Sequence, residues 1–287
     1  MDHFADRLVA AIRAKATPLC VGLDPRWDSL PLSVRKRHAG NVATAYEEFC
    51  FGVLDILAPL VAVIKPQSAF FEAAGPAGMM ALQQIILKAK RLGLLTILDA
   101  KRGDIASTAS AYAEAAFSIF DADAVTINPY LGRDSVEPFL QFARKDGRGV
   151  FVLVRTSNSG AGQFQDLDCG SKPLYQRVAE EVRSWSRENL GQCGFGDVGA
   201  VVGATHPAEL TAVRKLLPDV WFLVPGFGAQ GGTAAEVAAA FRPDGLGAIV
   251  NSSRGVMFPF SPDDRNWEAA IESAARQAIQ ALPLRKK

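Results

Sequence analysis

Neither sign of charge dominates this chain of 287 residues: 31 Lys and Arg stand against 30 Asp and Glu, a formal net charge of +1. No basic run or stripe stands out, and a partner surface for nucleic acid or anionic membrane needs one, so neither is expected. Cysteine is scarce. Cys20, Cys50, Cys169 and Cys193 are widely scattered with no C-x-x-C pair, which removes metal-ligand spacing and makes a disulfide scaffold unexpected in so large a chain. Histidine is scarcer still: His3, His38 and His206 leave triad and histidine acid–base chemistry few starting points. The longest apolar run, LAPLVAVI from Leu57, is far too short to cross a bilayer. The first twenty residues carry acids early and charges throughout, so no signal peptide is expected. These absences describe a cytoplasmic protein with reduced thiols.

What is present is a rhythm. Short runs rich in Val, Ile and Leu recur as PLCVGLD, VAVIKP, LLTILDAK, AVTINPY, VFVLVRT, VGAVVGAT, WFLVPG and GAIVNSS. Amphipathic stretches lie between them. PAGMMALQQIILKAKRLG, for example, sets Leu82, Ile85, Ile86 and Ala89 on one helical face. Near-continuous apolar strands alternating with helices predict an α/β protein with a parallel sheet covered by helices. Eight units in this length fit a single (β/α)₈ barrel over residues 1–287 better than a doubly wound sheet. The segments SNSGAGQFQDLDCGSK and NLGQCGFGDVG read as long loops within that domain.

A barrel gives the polar residues an address. Asp24, Lys65, Asp99 and Lys101 end the first three runs, Ser157 follows the fifth, Gln230 the seventh, and Ser253 and Arg254 the eighth. All fall at strand carboxyl ends, where barrel enzymes work. Alternation along a strand predicts that Asp99 and Lys101 share a side, with Asp104 just beyond. Five charges from three successive strand ends are then expected around one point. A salt-bridge network closing the barrel end would explain one such pair; five converging charges favour a site. Flanking carboxylates keep an ammonium protonated, so Lys101 reads as a proton donor and not as a Schiff-base nucleophile. Two interleaved lysines repel a divalent cation, so no metal is expected.

PGFGAQGG formally matches the dinucleotide fingerprint at Gly226, Gly228 and Gly231, before a capping box at Thr233 and Glu236. That fingerprint belongs on an opening βαβ unit, followed by a strand ending in an acid. Here it follows the seventh run, and the eighth carries Asn251. Barrel phosphate sites use the loops after strands seven and eight, where Gln230 and Arg254 offer an amide and a guanidinium. A glycine-rich turn beside a surface-paired arginine is the plain alternative.

Seven segments carry a resemblance over nearly the whole chain: VGLDP, IKPQSAFFE, LDAKRGDI, VTINPYLG, VRTSNSGA, PGFGAQGG and NSSRG. Their order and wording resemble the orotidine 5′-phosphate decarboxylases, in the longer bacterial branch, and Asp99, Lys101 and Asp104 match that family's D-x-K-x-x-D. The resemblance implies decarboxylation of orotidine 5′-monophosphate to UMP without metal or cofactor. It implies that Lys101 protonates C6, that Asp99 lies against the substrate carboxylate, and that Lys65 and Asp24 hold ribose hydroxyls and the charged array. Asp104 and Thr108 match residues that reach a partner subunit's site, which implies a homodimer. Ser157 is implied at the pyrimidine, and Gln230 and Arg254 at the phosphate, with backbone help near Ser253. Metal-dependent sugar-phosphate decarboxylases and aldolases share D-x-K-x-x-D but place a carboxylate ligand where this chain has Lys65. A nucleotide-binding barrel without catalysis is the other alternative, and the complete charged set counts against it.

Overall fold

The computed structural model describes residues 2–204, 207–227 and 233–282. Its eight strands are β1 Leu19–Leu23, β2 Val63–Pro66, β3 Leu95–Arg102, β4 Ala124–Ile127, β5 Gly149–Arg155, β6 Val198–Val202, β7 Phe222–Val224 and β8 Ala248–Ser252. Each pairs in parallel with the next, and β8 closes onto β1 with Val21 opposite Ser252. All eight fall on the apolar runs of the sequence. The helix Gly75–Arg91 buries Leu82, Ile85, Ile86 and Ala89, as its periodicity predicts. No described helix is long and apolar enough to cross a membrane.

Strand alternation sorts the side chains into two apolar bodies. Leu19, Val21, Leu23, Ile64, Val125, Val150 and Val250 face outward and pack beneath the helices. Cys20, Val63, Ile97, Ala124, Phe151, Leu223 and Ile249 face inward and fill the barrel. The helix Phe4–Lys15 joins no two strands. It sends Phe4, Leu8, Val9 and Ile12 into the inner body, with the Phe4 ring edge-on to Phe151 at 6.0 Å. A side chain on Gly149 would run into that ring. The amino end of the barrel is thereby closed with apolar groups.

Two residues further along β2, β3, β4 and β8, the inward positions change character. Val63 gives way to Lys65, Ile97 to Asp99, Ala124 to Thr126, and Ile249 to Asn251, all still buried. The period of two that builds an apolar lower layer builds a polar layer above it from the same strands.

Candidate active site

Asp99 is the centre of that upper layer. It is only 6% exposed and both of its oxygens are engaged. Lys65 donates to Oδ2 at 2.5 Å, while Lys101 at 2.5 Å and the Thr126 hydroxyl at 2.9 Å donate to Oδ1. Burial alone would raise the Asp99 pKa, but the two ammonium groups outweigh it and hold the carboxyl far below the usual range. Burial likewise works against the charge of Lys65, and Asp99 and Asp24 reverse this, leaving the ammonium above its ordinary value. Below it, burial pushes the Cys20 thiol up to about 12, so that thiol adds no charge to the array. The lysines differ in access: the Lys65 side chain is 6% exposed and that of Lys101 is 45% exposed.

Simple alternation does not account for Lys101. The β3–β4 register shifts between Leu98 and Arg102, and Lys101 has φ 48°, a left-handed conformation unusual for a long side chain. Thr126 holds this bulge. Its Oγ1 accepts the backbone N–H groups of both Ala100 and Lys101 at 3.0 Å while donating to Asp99. Asp99 and Lys101 do share a side, as expected, through a strained bulge and not a regular pleat.

Above this layer lies a cavity of about 490 Å³. Asp24, Lys65, Asp99, Lys101, Ser157, Ser253 and Arg254 all border it, so seven of the ten residues singled out in the sequence meet in one place. Asp24 brings a buried Oδ1 with no hydrogen-bond partner among the described residues. Gly22 lets the β8 end approach β1, since a Cβ there would collide with the Ser253 side chain. Gln230 lies outside the described residues. The expected convergence of five charges is corrected to four, because Asp104 does not border the cavity. After Arg102 the chain leaves the mouth for the helix Ala106–Glu114, the Asp104 carboxylate accepts the Ile105 N–H at 2.8 Å, and Thr108 is exposed on that helix.

Three contributors escaped the sequence reading. Thr126 had a usable signal, since it sits two positions after Ala124 on the inward face of AVTI. Asn251 likewise follows Ile249, with Nδ2 donating to Ser253 Oγ at 3.2 Å. Arg155, 4% exposed, secures the segment after β5. Its guanidinium reaches Glu209 at 2.6 Å and Asp166 at 2.9 Å, and Gln165 accepts the Thr156 N–H. A lone arginine at a strand end carries no pattern that announces partners so far along the chain.

A closed parallel barrel with a charged array at its strand carboxyl ends, beneath a cavity edged by arginine, defines a (β/α)₈-barrel enzyme. The chain belongs to the orotidine 5′-phosphate decarboxylase / HUMPS family, whose model matches residues 17–259. It is 46% identical to an orotidine 5′-phosphate decarboxylase of Rhodopirellula baltica, covering 98% of this chain and 99% of that protein. With the Roseiflexus sp. (strain RS-1) protein of the same name it shares 44% identity over 97% of each. The structure of Leishmania donovani OMP decarboxylase superposes with a TM-score of 0.79 at 38% identity, covering 98% of this chain and 97% of that one.

Proposed function

We propose that this chain, as one barrel domain, converts orotidine 5′-monophosphate to UMP and CO₂ without metal or organic cofactor. The supporting observation is one buried aspartate held between two lysines at the floor of an open cavity. The C6–carboxylate bond breaks, its electron pair stays on C6, and the Lys101 ammonium supplies the proton there before being reprotonated from solvent. A carbanion at C6 has little resonance help, so a fixed cation already in place is the effective means of stabilising it. Lys101 is tethered yet half exposed, which suits this role. Lys65 is buried and serves to keep Asp99 ionised and aimed. Asp99 faces the substrate carboxylate, an unfavourable approach that phosphate binding at a distance offsets.

Both Asp99 oxygens already carry ammonium donors, so Asp99 offers a divalent cation no free bidentate carboxylate. Asp24 and Lys65 take the ribose hydroxyls, Ser157 the pyrimidine, and Gln230, Ser253 and Arg254 the phosphate. Asp104 and Thr108 complete the site of a second copy, making the working unit a homodimer. The proposed location is the cytoplasm, where the substrate and a reducing environment coincide.

Ultraviolet turnover of orotidine 5′-monophosphate, with excess EDTA and beside Lys101→Ala, tests this directly. Conversion to UMP that survives EDTA and is lost in the variant is the expected result. Turnover abolished by EDTA, or kept by the variant, would sink the assignment.

A further inference from the structure

The cavity above Asp99 has a second basic group at its rim. Arg26, three residues past the end of β1, borders the same cavity as Arg254, two residues past the end of β8. These strands are paired neighbours in the barrel. Both arginines also border an adjoining outer cavity of about 440 Å³, so the two guanidinium-bearing side chains stand at the boundary between the cavities.

Neither has a carboxylate partner among the described residues. Most other arginines of the barrel are differently placed: Arg144, Arg148 and Arg155 each engage at least two carboxylates. Asp28 borders the outer cavity and forms an ion pair with neither arginine. The Arg26 guanidinium lies over the face of Phe70, 5.6 Å from the ring centroid. That contact orients the group without neutralising it. Two unneutralised guanidinium groups on adjacent strand ends, facing one cavity, are a receptor for a dianion with several equatorial oxygens.

We propose that Arg26 is a phosphate-binding residue, a second guanidinium that holds the 5′-phosphate of the nucleotide together with Arg254. The inference rests on the proposed function for the identity of the nucleotide, while its chemistry asks only for a phosphorylated pyrimidine nucleoside. Binding energy gathered at this rim, remote from C6, is then shared between β1 and β8.

The test compares wild type, Arg26→Ala and Arg26→Lys. Dissociation constants for UMP and for uridine are measured by calorimetry, alongside KM and kcat for orotidine 5′-monophosphate and for orotidine. With Arg26→Ala, UMP binding weakens and KM for the phosphorylated substrate rises, each roughly tenfold, the worth of one charge-assisted contact. Uridine and orotidine are barely affected, and Arg26→Lys recovers part of the loss because it restores the charge without the fork. An unchanged UMP-to-uridine preference in Arg26→Ala, or equal losses with and without the phosphate, overturns the proposal. A wild-type protein that prefers UMP to uridine but leaves orotidine 5′-monophosphate intact would refute the decarboxylase reading alone, and the UMP-to-uridine ratio would still decide the role of Arg26.

Discussion

Thr126 uses every hydrogen-bonding valence of its hydroxyl: one donor to Asp99 and two acceptor sites filled by the Ala100 and Lys101 N–H groups. It joins the ionised carboxyl to the strained backbone of the residue that is to move a proton. Thr126→Val keeps the shape and removes all three bonds. Leaving two N–H groups without their acceptor costs about 1–3 kcal/mol for each, which chemical denaturation will read. Release of the Lys101 bulge is expected to lower kcat at least roughly tenfold. Thr126→Ser restores the hydroxyl and should recover most of both. A Val variant as active as wild type would mean that the bulge persists without its anchor. Asp99 and Lys101 were legible in the sequence as a charged pair. The support from β4 was not, because Thr126 and Asp99 become neighbours only when two strands 27 residues apart align.

β5 and the segment after it show what a single buried arginine does at the scale of an element. Arg155 ties the strand end to Asp166, across a loop, and to Glu209 on the helix Pro207–Leu216, with the Tyr175 ring 5.2 Å from its guanidinium carbon. Ser157 and Asn158, which border the cavity, sit inside that tether. Arg155→Lys keeps the charge and loses the fork. Faster hydrogen exchange across residues 157–166 is expected, together with a KM increase larger than any fall in kcat. Unchanged exchange there would assign Arg155 to packing alone. The helices were legible where their apolar stripes are long, as in Gly75–Arg91. The capping box at Thr233 and Glu236 forms as read, yet the α-helix it opens ends at Val237 and tightens into a 3₁₀ turn over Ala238–Ala240. Phe241 is extended and Pro243 lies two residues on, after Arg242, and together they stop helical propagation despite the run of alanines.

At the scale of the molecule, the barrel is closed below and open above. The helix Phe4–Lys15 fills the amino end, so polar chemistry has access from the carboxyl end. In the segments after β3 and β4, Ile105, Tyr130 and Leu131 are 55%, 81% and 47% exposed, and Asp104, beside Ile105 in the chain, does not border the cavity. An apolar surface beside a displaced acid suits the proposed homodimer. Mixing Lys101→Ala with Asp104→Ala, each nearly inactive alone, should restore roughly a quarter of wild-type activity, because hybrid dimers hold one intact site of two. Sedimentation of the mixture should show a dimer. No recovery from a dimeric mixture would place Asp104 outside the partner's site.

The order of strands and helices, the inward and outward faces, and the charged ends of β1, β2 and β3 were set by the sequence alone. They follow from local periodicity, which a linear chain carries in full. Tertiary structure decided which charges meet. Asp24, Lys65 and Asp99 converge because β1, β2 and β3 pair side by side in parallel with their carboxyl ends together, while Asp104 parts from them because it lies between the end of β3 at Arg102 and the helix Ala106–Glu114. Lys101 reaches Asp99 through a bulge held by a neighbouring strand. Such a contact depends on register between segments far apart in the chain, and no local pattern encodes it.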